Sequence, residues 1–280
     1  MVPYPTFTVM SPQSQNLSQS ILRTQGLAKS FLGLQALQDF SITVNANEIL
    51  GLIGPNGAGK TTCFNLLTGF LIPTAGQIYF KGENITGRSP AGIARVGLAR
   101  TFQNIRVFNT LSVLENVMAA AQLRTHFSLG ELLLSAPSFR RKEEQVTARA
   151  HELLNLLHLS EYADRPAASL PYAHQRRLEI ARALATQPEI LLLDEPAAGM
   201  NPAESDSLHQ LILDLRTRFH LTVLLVEHDM RLVMNLCERI IVLNYGKIIA
   251  EGKPEVVRAD PQVIAAYLGA DHSAAEVIRA

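Results

Sequence analysis

Gly54-Pro55-Asn56-Gly57-Ala58-Gly59-Lys60-Thr61 follows the apolar run Ile49-Leu50-Gly51-Leu52-Ile53 and leads into a helical run, Thr62 to Thr68, closed by Gly69. The stretch fits G-x-x-x-x-G-K-[ST] at every fixed position. A polyphosphate gripped at short range by backbone N–H groups needs residues with no side chain in the way and no restriction on φ, and glycine supplies both. The helix start adds its positive end. In this geometry Lys60 reaches the outer phosphates, and the Thr61 hydroxyl faces a magnesium ion. The expected phosphate-binding set is therefore Gly54, Pro55, Asn56, Gly57, Ala58, Gly59, Lys60, Thr61 and Thr62. The other reading is a glycine-rich turn with an incidental lysine; the strand before it and the helix after it favour phosphate.

Outward from that loop, Ile49 to Ile53, Ile190 to Leu193 and Thr222 to Val226 are continuous apolar runs, which suit strands covered on both faces as in a parallel sheet. Helical patterns separate them, so the core is α/β. Ile21 to Gly26 and Phe40 to Val44 alternate with a period of two and suit half-exposed antiparallel strands. Gln77 to Phe80 with Lys81-Gly82, and Ile240 to Leu243 with the turn Asn244 to Lys247 and Ile248 to Ala250, read as strand and turn units extending the sheet. Between Leu111 and Ala168 the strand signal is absent. Helical spacing from Arg141 to Leu157, with interruptions at Gly130 and Pro137, predicts a helical subdomain inserted at about 104–169. The domain is expected over 21–270, with a Ser-, Gln- and Pro-rich disordered tail at 1–20 that lacks the character of a signal peptide, and a second tail at 271–280. No internal repeat is present, so the chain holds one nucleotide-binding unit.

Ile190-Leu191-Leu192-Leu193-Asp194-Glu195 puts two carboxylates where a buried strand leaves the sheet, the edge at which α/β folds bind ligands. Asp194 suits magnesium, which keeps several waters and takes few protein oxygens. Glu195 is placed as general base toward an attacking water, a role worth about 10² to 10⁴ in rate. Strand ends are often acidic through solvation alone; the phosphate loop is what makes this pair a site. The next apolar run ends at Glu227-His228-Asp229, where His228 either contacts a γ phosphate or the water, or is a surface histidine.

Acidic and basic residues cancel at 25 each, so no global field draws the molecule to nucleic acid or anionic lipid. No apolar run approaches the roughly 18 residues that cross a bilayer. Cys63 and Cys237 stand in no metal-ligand spacing and read as reduced thiols.

Five stretches together carry a family resemblance: Phe64 to Phe70, Ala99-Arg100-Thr101-Phe102-Gln103, Glu195-Pro196-Ala197-Ala198-Gly199-Met200-Asn201-Pro202, Glu227-His228-Asp229-Met230 and Ala266-Tyr267-Leu268-Gly269. From about Ile21 to Gly269 the chain resembles the ATPase subunits of ABC transporters, and within them the subunit of the branched-chain and hydrophobic amino acid importers. The resemblance implies a P-loop NTPase core of the ABC type that uses ATP and Mg²⁺. It implies Phe31 stacked on adenine, against the alternative of a packed strand-end aromatic. It also implies Gln103 contacting Mg²⁺ or the water, and Asn201 at a dimer-contact loop where many relatives have Asp. The implied partners are two transmembrane permease subunits gripped by the helical subdomain, a second ATPase subunit and, indirectly, a periplasmic solute-binding protein; nucleic acid is not among them. The implied place is the cytoplasmic face of the inner membrane. Import of another solute such as urea, lipopolysaccharide export, and a regulatory module that binds ATP without hydrolysing it are the competing functions. Phe139-Arg140-Arg141-Lys142 reads as a solvated helix start.

In that family a second subunit completes each ATP site with a signature loop near L-S-G-G-Q. Here Leu170, Pro171, Tyr172, Ala173, His174 and Gln175 occupy it. Pro171 has no hydroxyl and no N–H, Ala173 replaces a glycine used either for positive φ or for close approach, and His174 replaces an amide. The expectation is weaker hydrolysis at the composite site built from this signature, with the helical pattern from Arg176 to Ala185 retained.

Overall fold

The computed structural model describes residues 20–124 and 137–268. Gly130 and the expected tails, save Ser20, lie outside them. The chain opens with β1 (Ser20–Phe31), β2 (Leu34–Phe40) and β3 (Thr43–Asn45), so the expected strand from Phe40 to Val44 is divided at Ser41 and Ile42. The cause is Thr24: its hydroxyl donates to the Phe40 carbonyl at 2.9 Å and accepts the Ile42 N–H at 3.0 Å, taking over backbone groups that a continuous strand would pair with a neighbour. After β4 (Ile49–Ile53) and α1 (Lys60–Leu67), β5 (Ala75–Phe80) and β6 (Glu83–Asn84) form a hairpin that joins β1, giving an antiparallel sheet of order β2-β1-β5-β6 with β3 also on β1. The Gln77 to Phe80 unit thus extends this sheet and not the parallel one. Its turn, Lys81-Gly82, has positive φ at both residues and so returns the chain antiparallel at once.

α2 (Pro90–Val96) and the short β7 (Leu98–Arg100) lead to α3 (Val113–Ala121), α4 (Pro137–Leu156) and α5 (Tyr172–Ala185). α3 packs on both α4 and α5. Ser112 and Glu115 form a capping box that starts α3. Pro137 opens α4 and does not interrupt it, as a first-turn residue has no intrahelical N–H bond to lose. There follow β8 (Ile190–Asp194), α6 (Pro202–Phe219), β9 (Thr222–Val226), α7 (Met230–Leu236), β10 (Arg239–Asn244), β11 (Lys247–Gly252), α8 (Pro254–Ala259) and α9 (Pro261–Leu268).

The second sheet runs β11-β10-β4-β9-β8-β7, parallel from β10 to β7 with β11 antiparallel at the edge. Its continuous apolar strands feed two cores by strict alternation. Ile49, Ile53, Leu191, Leu193, Val223, Leu225, Ile240 and Val242 face one core with Val117 of α3, Leu153 of α4, Leu178 of α5 and Leu208 of α6. Leu50, Leu52, Ile190, Leu192, Leu224, Val226, Ile241 and Leu243 face the other, with Phe64 and Leu67 of α1 and with Leu22, Leu27 and Phe40 of the antiparallel sheet. Because β4, β8 and β9 are parallel neighbours, the loops after all three emerge at one edge.

Candidate functional site

At that edge, Gly54 has φ +151° and a β-carbon on it would stand 2.1 Å from the Leu243 carbonyl oxygen; Gly59 has φ +109° and would meet the Ala36 carbonyl oxygen at 2.6 Å. Both positions admit glycine alone, so the loop is shaped by what surrounds it as much as by its own bonds. Ala58 donates to the Pro55 carbonyl and accepts from Gly246 N–H, which pins the loop to the β10–β11 turn. Asn56, Gly57 and Thr61 are exposed, and Thr62 is half-buried. Lys60 is buried at the start of α1, its ammonium donating to the Gly54 carbonyl at 2.6 Å and the Pro55 carbonyl at 3.0 Å. Burial pulls its pKa down, while the negative charges of Glu195 and Asp194 pull it back up. The ammonium and the two strand-end carboxylates therefore share one electrostatic neighbourhood.

Asp194 ends β8, and its Oδ2 accepts from Arg100 Nη2 at 2.6 Å; the two side chains are 4% and 5% exposed. Arg100 also donates to Asn65 Oδ1 and Thr68 Oγ1, and its guanidinium stands over the rings of Phe64 and Phe102, 5.4 and 5.0 Å from their centroids. Glu195 follows with φ +47°, in the left-handed region, where a non-glycine residue costs about 1–3 kcal/mol and persists only when its surroundings hold it. Its N–H donates to the Val226 carbonyl at 2.8 Å, and its carboxylate is gripped at both ends: Gln103 Nε2 donates to Oε2 at 2.7 Å, and His228 Nε2 faces Oε1 at 2.5 Å. Gln103, implied by the resemblance, and His228, read from the strand end, thus both contact the Glu195 carboxylate.

Two site residues escaped sequence reasoning. Arg100 gives no local signal, because its carboxylate partner is far along the chain. Glu227 is buried beside His228, with Oε1 accepting Ala197 N–H at 2.7 Å and Oε2 accepting His228 N–H at 3.0 Å. Burial pushes its carboxyl above the ordinary range, the backbone N–H groups of Ala197, His228 and Asp229 oppose this, and the Glu195 charge adds to the rise. The one sequence hint was a glutamate ending an apolar strand.

Phe31 stands at the β1–β2 turn, 41% exposed, with the Lys29 ammonium 5.2 Å from its ring centroid. The signature residues lie at the start of α5. Pro171 is the N-cap, its carbonyl accepting the N–H groups of His174 and Gln175 while its side chain caps nothing. Ala173 sits in the first turn without positive φ, which leaves close approach as the use a glycine would have there. His174 packs edge-on against Tyr162, and Gln175 Nε2 donates to the Leu170 carbonyl. Asn201 caps α6 in a reciprocal box with Glu204. Among the described residues no group of three or more His, Cys, Asp or Glu is arranged for a metal. Thr61, Gln103 and Asp194 instead offer a hydroxyl, an amide and a carboxylate, an all-oxygen set that fits a magnesium ion sharing its remaining positions with water and phosphate.

A family model described as ABC transporter matches residues 37–198, more than half the chain. The chain belongs to the ABC transporter family. A second model, described as branched-chain amino acid ATP-binding cassette transporter, matches residues 247–273 of this ABC subunit. The high-affinity branched-chain amino acid transport ATP-binding protein LivG of Escherichia coli K12 is 48% identical over 90% of the chain and 99% of its own length. The lipopolysaccharide export system ATP-binding protein LptB of Haemophilus influenzae is 40% identical over 89% and 98%. Among solved structures, the ADP conformation of an ATP-binding cassette of an ABC transporter superposes with a TM-score of 0.77 at 35% identity, covering 89% of this chain and 99% of that one. A dimeric cassette in a post-hydrolysis state bound to ADP and Pi superposes with a TM-score of 0.70 at 26% identity, covering 84% and 99%. The ABC subunit is an ATPase of the transport class, and its cassette binds nucleotide. No helix among the described residues is long and apolar enough to cross a membrane.

Proposed function

We propose that this ABC subunit hydrolyses ATP to drive import of branched-chain or other hydrophobic and neutral amino acids. It works at the cytoplasmic face of the inner membrane with two transmembrane permease subunits, a second ATPase subunit and, indirectly, a periplasmic solute-binding protein. The observation that carries the reading is Glu195 clasped between Gln103 and His228 beside the loop that holds Lys60. The N–H groups of Gly54 to Thr62 bind the phosphates, and Lys60 exchanges its two carbonyl partners for phosphate oxygens. Phe31 offers its exposed ring to adenine. Thr61, Gln103 and Asp194 hold Mg²⁺, which when bound neutralises charge on the phosphate oxygens. Glu195 takes the proton of the attacking water, Gln103 orients that water, and His228 holds the carboxylate toward it. Leu170 to Gln175 serve the ATP of the partner ATPase, and the changes at Pro171, Ala173 and His174 weaken turnover there.

A cavity of about 350 Å³ supports the permease assignment. Phe70, Ile93, Phe102, Arg106 and Arg182 line it, with Phe70 half-exposed and edge-on to Phe102, so an apolar segment docked there would press on the loop bearing Gln103. The amino acid cargo is supported by the similarity to LivG and by the match over 247–273. The test is leucine uptake into vesicles carrying this subunit with its permeases and partner ATPase. ATP-dependent uptake that Glu195→Gln removes is expected. Turnover without uptake of any branched-chain amino acid would point to another cargo, and phosphate release unaffected by Glu195→Gln would favour the regulatory module.

A further inference from the structure

Arg176 is the largest fully buried side chain of the described residues, and nothing in the proposed chemistry uses it. From α5 its Nη1 donates to the Phe102 carbonyl at 2.5 Å and to Glu179 Oε2 at 2.8 Å; its Nη2 donates to the Gln103 carbonyl at 2.8 Å and to the Tyr172 hydroxyl at 3.2 Å. Glu179 uses its other oxygen to accept the N–H groups of Phe102 at 3.1 Å and Arg106 at 3.3 Å. Arg182, three residues further along the same helix, donates to the Arg106 carbonyl. Residues 176, 179 and 182 thus clamp both the carbonyls and the amides of the segment 102–106.

A buried ion pair is a poor stabiliser, since desolvation costs several kcal/mol per ion and apolar residues of similar volume often do as well. This one also leaves the Arg176 Nε unpartnered. What it provides is direction: the segment it fixes carries the Gln103 side chain onto Glu195 Oε2. Tyr172 extends the linkage to the signature stretch, because its half-exposed ring lies over Gly199, where a β-carbon would stand 3.5 Å from Cε1. One tyrosine therefore stands at the start of α5, accepts from the buried arginine and lies close beside the loop that follows Glu195.

We propose that Tyr172, Arg176 and Glu179 are positioning residues that join the signature end of α5 rigidly to the Gln103 segment, so that a displacement of that helix end sets the Gln103 amide against Glu195. The proposal rests on the roles given above to Gln103 and Glu195.

The experiment measures kcat and KM for ATP in the assembled transporter, MgATP affinity of the purified subunit by calorimetry, and thermal midpoint. Tyr172→Phe removes one hydroxyl and keeps the ring; kcat is expected to fall about three- to tenfold, the worth of one hydrogen bond, with the purified subunit's own MgATP affinity and its midpoint unchanged. The paired replacement of Arg176→Met and Glu179→Leu is expected to cost kcat about 10- to 100-fold, again at constant affinity, as for a misplaced reacting group. Equal losses of kcat and affinity in Tyr172→Phe, or a kcat within twofold of the parent in both variants, overturns the linkage. If the paired variant does not fold, Glu179→Gln, outside the signature stretch, replaces it with the same expected loss of kcat at constant affinity. A parent whose turnover survives Glu195→Gln removes the reading of the site itself, and that outcome is recognised before any linkage variant is made.

Discussion

Arg100 and Asp194 are both almost wholly buried, so removing the guanidinium leaves the Asp194 carboxylate without its ion-pair partner. Arg100→Met is expected to lower the unfolding free energy by about 3–5 kcal/mol in urea titration, whereas a change below about 1 kcal/mol would mean the pair is solvated in solution. Glu227 makes a pH prediction. Its folded pKa lies above the ordinary carboxylate value, so the unfolded chain gives up this proton first as pH rises. The contribution of Glu227 is then most favourable in acid and declines as pH climbs from the unfolded value through the folded one. The stability difference between the parent and Glu227→Gln should therefore shrink as pH rises over that window; a difference that grows would reverse the sign of the shift. Lys60, Asp194, Glu195 and His228 were legible in sequence because each belongs to a short local pattern. Arg100 and Glu227 were not, since what defines them is a partner brought close by sheet order or a set of backbone N–H groups turned inward by a loop.

The elements follow the same division. The apolar runs at β4, β8 and β9 could be read as buried parallel strands because their length and composition suffice. β7 escaped, as a strand of three residues has too few side chains to show a period. The gap between β2 and β3 depends on one threonine sixteen or more positions earlier, which no window along the chain contains. At the start of α6, Asn201 has a role that the family resemblance did not supply: Oδ1 accepts Glu204 N–H at 3.0 Å while Glu204 Oε2 accepts Asn201 N–H at 3.0 Å. Asn201→Ala should cost about 1 kcal/mol of stability through loss of the cap, and Asn201→Asp should retain it. Denaturant midpoints of the two variants check this, and equal midpoints would leave the cap without energetic weight.

At the scale of the whole molecule, strict alternation along the parallel strands builds one core toward the helices and another toward the antiparallel sheet. The consequence for function is positional. Three neighbouring strands pointing the same way deliver a phosphate loop, a carboxylate pair and a histidine to one rim, and the helical segment between β7 and β8 brings Gln103 and the signature helix to it. The central claim is that this rim closes around a nucleotide tail. Isothermal titration of MgATP into the purified chain tests it most directly. The account predicts a saturable heat that Lys60→Ala weakens at least about tenfold and Glu195→Gln leaves in place, because the first removes a phosphate contact and the second only a proton acceptor. Indistinguishable titrations of the parent and Lys60→Ala, or no heat from the parent, would contradict it.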